Sequence, residues 1–216
     1  MTRDLDGPRL PPRGRTPTAL VVLLHGYGAN GDDLIALADA WQPALPNVAF
    51  AAPNAPETIP GMHGGLQWFP LTMRDTSEYW RGVEAARPLL DRFLDAELGR
   101  HRLPPARLVL VGFSQGTMMA LHAGLRRASA PAGIVAYSGL LAGPEHLSQT
   151  AARPPVLMIH GEADDLIPIQ ALHIGREALA EAGLPVEWHV RPGLGHGIDP
   201  KGQLMAGHFI AQVLRR

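Results

Sequence analysis

The sequence contains no cysteine among its 216 residues. This absence excludes disulfide bonds, thiolate zinc sites and a cysteine nucleophile together. It is compatible with a reducing compartment, and we expect a cytoplasmic protein. Charged residues are also few, at 18%, and the formal net charge is −1. A chain so close to neutral lacks the overall basic field that would favour nucleic acid or an anionic membrane as a partner.

Long apolar runs are absent as well. The first apolar run, Ala19–Leu24, is far too short to span a membrane and carries no signal-peptide cleavage pattern, so no stable membrane insertion is expected. Residues 1–17 contain four arginines and four prolines and are predicted to be a poorly ordered or extended segment. Residues 18–216 are predicted to form a single domain, since neither an internal repeat nor a long linker divides them.

Short apolar runs alternate with stretches of helical period along this domain. The predicted strands are Ala19–Leu24, Val48–Ala52, Arg107–Val111, Gly133–Tyr137, Pro155–His160 and Val186–Arg191. The predicted helices are Asp32–Trp41, Glu78–Leu98, Gln115–Arg127, Ile169–Ala182 and Lys201–Leu214. Within the second helix, Pro88 predicts a kink or a helix that begins near it. The alternation indicates an α/β fold with a mostly parallel central sheet, flanked by helices on both faces.

The third predicted strand leads directly into Gly112-Phe113-Ser114-Gln115-Gly116 and then into a helix. G-x-S-x-G between a strand and a helix is typical of a tight turn that exposes a nucleophilic serine. Glycine on both sides avoids a collision of side chains with the strand and the helix. The helix N-terminus favours the negative charge that develops in acyl transfer. We therefore predict that Ser114 is a nucleophile.

A serine hydroxyl is a poor nucleophile until a base takes its proton and a third group orients that base. With this motif the acid and then the histidine are expected after the serine, beyond the ends of later strands. Glu162, Asp164 and Asp165 follow the fifth predicted strand, and Asp164 is favoured because the loop must turn back before Pro168. His196, in the glycine-rich loop after the last strand, is the predicted base.

Two donors are expected to bind the oxygen of the tetrahedral intermediate. They are predicted to be the backbone N–H groups of Gln115 and of Tyr27, which lies in the loop after the first strand. The same loop reads Gly26-Tyr27-Gly28-Ala29-Asn30-Gly31, the G-x-G-x-x-G pattern of dinucleotide sites. Such a site also needs an acid at the end of the second strand, where this chain has Pro53-Asn54. The oxyanion interpretation is therefore favoured.

The longest irregular stretch, Pro53–Ser77, is rich in apolar side chains. A loop of this length within a compact domain is usually functional. We therefore predict that Met62, Trp68, Phe69 and Met73 line the substrate pocket.

Five motifs occur in order along the chain. They are Leu24-His25-Gly26-Tyr27-Gly28, Gln67-Trp68-Phe69, Gly112-Phe113-Ser114-Gln115-Gly116, His160-Gly161-Glu162-Ala163-Asp164 with Ile167-Pro168, and Gly195-His196. Together they resemble the motifs of the phospholipase/carboxylesterase family of α/β-hydrolases, which includes bacterial carboxylesterases and eukaryotic acyl-protein thioesterases. The resemblance implies an α/β-hydrolase catalytic domain that cleaves small acyl esters, with thioesters and lysophospholipids as alternative substrates, and that needs neither a metal nor a cofactor. It also implies a triad of Ser114, Asp164 and His196, with oxyanion donors at Tyr27 and Gln115.

Two other functions stay open at this point. One is a catalytically silent binding protein with the hydrolase fold. The other is a lactonase resembling the dienelactone hydrolases, which usually use cysteine where this chain has Ser114. A metal enzyme is disfavoured, since no H-E-x-x-H motif occurs and the histidines are dispersed. The pattern is compatible with a monomer or a homodimer.

Overall fold

The computed structural model describes residues 4–14, 16–72, 75 and 77–215. The strands are β1 (Arg9–Leu10), β2 (Ala19–Leu24), β3 (Val48–Ala51), β4 (Glu57–Thr58), β5 (Leu66–Gln67), β6 (Leu108–Phe113), β7 (Gly133–Tyr137), β8 (Val156–Gly161) and β9 (Val186–Arg191). The α-helices are α1 (Gly31–Ile35), α2 (Leu37–Trp41), α3 (Ser77–His101), α4 (Gln115–Arg126), α5 (Gln170–Glu181) and α6 (Pro200–Leu214). Short 3₁₀ segments cover Pro105–Arg107 and Pro144–Gln149.

Within these residues, seven strands form one sheet in the order β1-β3-β2-β6-β7-β8-β9. All neighbours pair in parallel except β1 and β3, which are antiparallel. A separate two-stranded ribbon is made by β4 and β5. The parallel strands end at one edge of the sheet, which is where the loops of an open α/β fold bring functional residues together. The fold class predicted from the sequence is confirmed.

Both faces of the sheet are covered by helices. Successive residues of a strand point to opposite faces, so the even-numbered residues of β2 join one buried cluster with α3, α4 and α5. The odd-numbered residues of β2 join the cluster on the other face, with α1, α2 and α6. Every residue of β2 is buried. This two-sided burial explains why the sequence of the strand is uninterruptedly apolar.

Two predicted helices differ from the observed ones. The predicted helix Asp32–Trp41 is divided into α1 and α2, with Ala36 between them in helical conformation. The second predicted helix runs without a break through Pro88, so the alternative in which a helix begins near this proline is wrong. Proline removes one backbone hydrogen bond, and the buried residues Val83 and Leu90 on either side of it keep the helix packed on the core.

The segment predicted to be poorly ordered or extended contributes β1. Its register places Arg9 opposite Ala51 in β3. The guanidinium of Arg9 lies 3.1 Å (Nε) and 3.0 Å (Nη2) from Oε1 of Glu97, whose side chain is almost completely buried in α3. Burial of an unpaired carboxylate is costly, so this ion pair, which raises the pKa of Arg9, connects the N-terminal segment to the core.

A histidine is buried between α4 and α3, away from the ends of the strands. The side chain of His122 is 1% exposed and meets Trp80 edge to face, with ring centroids 5.2 Å apart. Its Nε2 lies 2.7 Å from Oε1 of Glu84 but without hydrogen-bond geometry. Burial, with smaller contributions from the charges of Arg126 and Arg87, lowers the pKa of His122 to about 3. The ring is therefore neutral at neutral pH.

We expect the free energy of unfolding to fall as the pH is lowered from about 6.5 towards 3. The pKa of His122 is lowered from its ordinary value of 6.5, so in this window the unfolded chain binds a proton that the folded chain excludes. This difference amounts to at most about 1.4 kcal/mol per pH unit. Urea unfolding at a series of pH values measures the slope. His122→Leu should flatten it, whereas His63→Gln, at an exposed position, should not; an unchanged slope in His122→Leu would contradict the prediction.

Candidate active site

The G-x-S-x-G segment forms a sharp turn between β6 and α4. Ser114 has φ 55° and ψ −118°, a conformation that costs a residue with a side chain about 1–3 kcal/mol. A Cβ on Gly112 would lie 2.4 Å from the carbonyl oxygen of Gly116, and one on Gly116 would lie 1.8 Å from that of Leu24. Glycine is therefore required on both sides of the serine. The turn places Ser114 at the N-terminus of α4, beyond the carboxyl end of the sheet.

The carboxylate of Asp164 lies in the loop after β8, and its side chain is completely buried. Its Oδ1 accepts the N–H groups of Leu166 at 3.0 Å and Ile167 at 2.9 Å. Its Oδ2 lies 2.8 Å from Nδ1 of His196 and 3.3 Å from Nε2 of His160. Because the carboxylate can only accept, Nδ1 of His196 carries a proton and Nε2 is left free in the neutral ring.

The other two acids of this loop face solvent. Glu162 and Asp165 are exposed. Oε2 of Glu162 accepts the N–H of Gly193 at 3.1 Å, a contact that connects the two loops without involving the imidazole. Of the three acids considered from the sequence, Asp164 is the one that the structure brings to His196.

The loop after β9 carries His196 over the end of the sheet. It packs tightly on β8, since a Cβ on Gly161 would lie 2.3 Å from the carbonyl oxygen of the residue before His196. The ring centroids of His196 and Phe113 are 4.9 Å apart. Beyond the loop, Arg191 binds Asp199 with Nη2 and Oδ2 2.7 Å apart, an interaction that lowers the pKa of the Asp199 carboxyl. The loop is thus anchored before and after the histidine.

Ser114 and His196 line the same cavity. Among the described residues, no hydrogen bond joins the serine hydroxyl to the imidazole, whose bond is the one to Asp164. Hydrogen bonds between reacting groups are often long in a protein without substrate and shorten when substrate binds. The arrangement therefore places a hydroxyl and an oriented imidazole at one surface.

The loop after β2 passes directly beside the serine. A Cβ on Gly26 would lie 3.1 Å from Cβ of Ser114. This distance is shorter than most contacts that Cβ atoms make in proteins. Tyr27, the next residue, lines the cavity together with Gly26 and is 42% exposed. The main chain at Gly26 is therefore packed against the side chain of Ser114.

The side chain of Gln115 is buried beneath the turn that carries Ser114. Its Oε1 accepts the N–H of Trp68 at 2.9 Å, and its Nε2 donates to the carbonyl of Phe69 at 2.8 Å. The indole N–H of Trp68 donates to the carbonyl of His25 at 2.9 Å. Trp68 and Phe69 therefore connect the two segments in which the oxyanion donors are predicted.

A cavity of about 660 Å³ opens over the serine and the histidine. Its walls are mainly apolar and come from the loops after β2 and β7, the long loop, α3, α4 and the acid loop with α5. They include Leu71, Tyr79, Met118, Leu140, Ile167 and Ile174. Among the described residues that line it, none is Asp, Glu, Lys or Arg. Such a surface suits an uncharged apolar group.

Three of the four residues predicted to line the pocket do not line this cavity. Trp68 and Phe69 are buried beneath the loop, and neither they nor Met62 line this cavity. The side chain of Met62 is 45% exposed and covers Gly65. The fourth, Met73, lies outside the described residues. An apolar residue in an irregular loop is stabilised equally by burial in the core, and the sequence pattern does not distinguish this from lining a cavity.

Sequence reasoning assigned no role to His160 beyond its place in a motif. Its buried Nε2 lies 2.7 Å from the carbonyl oxygen of Ile167 and 3.3 Å from Oδ2 of Asp164. Both neighbours are acceptors, so Nε2 carries a proton and donates to them. The one available signal was the His160-Gly161 pair four residues before the acid.

The dinucleotide alternative is contradicted at the start of α1. Oδ1 of Asn30 accepts the N–H groups of Asp32 and Asp33, and Oδ1 of Asn54 accepts that of Gly31 at 2.8 Å. The amides that would bind a pyrophosphate are thus already bonded. Two carboxylates in the first turn also repel an anion.

Among the described helices, none has both the length and the hydropathy that crossing a bilayer demands. Within the same residues, no three or more His, Cys, Asp and Glu side chains are grouped so that they could hold a metal ion.

The chain is similar to known proteins over most of its length. Residues 7–214 match the profile of a family described as phospholipase/carboxylesterase. An acyl-protein thioesterase 1 from Gibberella zeae is 29% identical over 212 residues, covering 88% of each chain. A probable carboxylesterase from Oryza sativa subsp. japonica is 31% identical over 193 residues, covering 82% of this chain and 80% of the relative. The crystal structure of esterase PE8 has 42% sequence identity and a TM-score of 0.94, covering 98% of this chain and 100% of that one.

Proposed function

The chain belongs to the phospholipase/carboxylesterase family of α/β-hydrolases, and we propose that it cleaves carboxylic esters through a triad of Ser114, His196 and Asp164. Membership of this family makes the protein a hydrolase of ester or thioester bonds. The observation that carries the finer proposal is the meeting of three elements at one cavity. They are the strained serine turn, a histidine and the buried acid bonded to that histidine.

The chemistry follows from which nitrogen of His196 is free. Nδ1–H is bonded to Asp164, so Nε2 takes the proton of the Ser114 hydroxyl as the serine oxygen attacks the ester carbonyl carbon. The tetrahedral intermediate collapses as Nε2–H protonates the departing alcohol, which leaves an acyl group on Ser114. Water then attacks the acyl-enzyme with Nε2 again acting as base, and the carboxylic acid is released.

The negative oxygen of the intermediate needs donors that are in place before the reaction. We assign the backbone N–H of Gln115, at the start of α4, and that of Tyr27, beside the nucleophile. Support for the first comes from the bonds that hold the Gln115 side chain to the main chain at Trp68 and Phe69. Support for the second comes from the close approach of Gly26 to the serine.

The apolar cavity favours an uncharged acyl group as the part of the substrate that it encloses. Burial of each methylene of an acyl chain contributes about 0.8 kcal/mol, or about fourfold in kcat/KM. Esters with a neutral aliphatic acyl chain are therefore the substrates that we propose. Thioesters of the same chains present the same carbonyl carbon to Ser114 and belong in the same assay.

The test is direct. Wild-type protein should hydrolyse 4-nitrophenyl butyrate, and a fluorophosphonate probe should label it at Ser114 in competition with that ester. Labelling at a different residue would transfer the proposal to that residue. If the probe did not label the protein and the protein hydrolysed no ester or thioester in a graded panel, that result would favour the alternative of a catalytically silent binding protein.

A methionine substitution should reveal where the acyl chain lies. Met118 is buried and lines the cavity, so Met118→Ala removes three heavy atoms from its wall and should extend the preferred acyl chain by roughly two to three carbons. Met62 lies outside the cavity, and Met62→Ala should leave the chain-length preference unchanged. The measurement is kcat/KM for 4-nitrophenyl esters from acetate to decanoate. The reverse result, with Met62→Ala alone altering the preference, would place the acyl group under the long loop instead.

A further inference from the structure

A buried histidine that has no part in the triad lies next to the predicted oxyanion loop. His25, the last residue before that loop, is 0% exposed. Its Nδ1 lies 2.8 Å from the carbonyl oxygen of Gly26, and its Nε2 accepts the N–H of Ala55 at 2.9 Å. The triad does not use this ring, and sequence reasoning gave it no role.

The contacts of His25 fix its tautomer. A backbone N–H such as that of Ala55 can only donate, so Nε2 must be unprotonated. In the neutral ring Nδ1 then carries the proton and donates to the carbonyl of Gly26. Burial lowers the pKa of His25 below its ordinary value, in agreement with a neutral ring.

The carbonyl that His25 binds belongs to the same peptide group as the N–H of Tyr27. A trans peptide group is planar, and its C=O and N–H point in opposite directions. A bond that fixes the orientation of the Gly26 carbonyl therefore fixes the direction of the Tyr27 N–H. The same carbonyl also accepts the N–H of Ala29, at the longer distance of 3.3 Å. The peptide group follows Gly26, whose main chain is packed against the side chain of Ser114.

We propose that His25, as its Nδ1–H tautomer, is a positioning residue that orients the Tyr27 N–H towards the oxyanion. The inference rests on the hydrolytic function proposed above. The indole of Trp68 holds the main chain of His25 through its carbonyl oxygen, so the histidine backbone is itself fixed. The role is confined to the transition state and the tetrahedral intermediate, because the ester substrate carries no oxyanion before the serine attacks.

Two amide substitutions test the two hydrogen bonds of the His25 ring one at a time. In His25→Asn the side-chain NH₂ takes the place of Nδ1 and can still donate to Gly26, while the bond to Ala55 is lost. In His25→Gln the longer amide reaches the place of Nε2 and can accept from Ala55, while the bond to Gly26 is lost. Each variant thus keeps one bond, loses the other and buries one amide.

We expect His25→Gln to lose roughly 10- to 100-fold in kcat with KM within about twofold of the wild-type value, since loss of a whole oxyanion donor costs about 10²–10³-fold. His25→Asn should remain within about fivefold of wild-type kcat. The inhibition constant of a trifluoromethyl ketone, which forms an oxyanion on Ser114, should rise in parallel with the loss of kcat. Thermal unfolding of both variants provides the structural control.

Equal losses of kcat in the two variants, or losses that follow the melting temperature, would overturn the proposal in favour of a packing role. If neither variant folds, ¹⁵N spectra of the wild-type imidazoles still decide, because a protonated Nε2 on His25 would overturn it. Failure of the proposed function is distinguishable, since the wild-type protein would then neither hydrolyse esters nor react with the ketone.

Discussion

Ser114→Ala is expected to fold as the wild-type protein does and to lose on the order of 10⁶-fold in kcat, as removal of a triad serine does elsewhere. The side chain contributes the attacking oxygen, and the other hydroxyl groups on described residues that line the cavity are the phenols of Tyr27 and Tyr79. Ester hydrolysis under saturating substrate measures the loss. Retention of more than about a tenth of the activity would mean that the nucleophile lies elsewhere.

Two further variants make the result specific. Ser129→Ala changes an exposed serine in the same way and should leave kcat unchanged. Ser114→Gly should be as inactive as Ser114→Ala but more stable by about 1 kcal/mol, because glycine relieves the strain of φ 55°. Urea unfolding compares the two. Equal stabilities would show that the turn is not strained, without bearing on the identity of the nucleophile.

Asp164→Asn is expected to lower kcat by up to about 10⁴-fold. Oδ1 of Asp164 accepts two backbone N–H groups, so the oxygen of an asparagine must remain there and its NH₂ must face His196. Because Nδ1 of the histidine then faces the NH₂ donor of the asparagine, it must act as the acceptor and lose its proton. Nε2 becomes protonated instead. The imidazole is then in the tautomer that cannot take the proton of Ser114. Steady-state kinetics measures the loss, and thermal unfolding checks the fold.

The neighbouring acids provide matched controls for this substitution. Asp165→Asn and Glu162→Gln make the same chemical change at exposed positions of the same loop, and each should retain kcat within about fivefold. Glu162→Gln keeps an oxygen that can accept the N–H of Gly193. If Asp165→Asn proved the most damaging of the three, the acid would be assigned to the wrong residue.

Most of the sheet could be predicted because its signals are local. Runs such as Ala19–Leu24 are apolar on both faces, and a strand with helices on either side needs such a sequence. The two-residue strand β1 has no such signal, because its stability comes from pairing with β3 and from the bond between Arg9 and Glu97, 88 residues apart. A short strand that depends on distant partners leaves no periodic pattern in its own residues.

The sequence by itself determined the α/β architecture and the family, together with the serine turn, because tight backbone geometry demands glycine at Gly112 and Gly116. It also favoured Asp164 among the three acids of one loop as the partner of the histidine. That the Asp164 carboxylate is buried and bonded to His196, and that Trp68 supports the predicted oxyanion loop instead of lining the cavity over Ser114, was decided by the tertiary structure. The physical reason is that burial and hydrogen-bond partners are properties of chain segments brought together from far apart, such as Trp68 and His25, 43 residues apart.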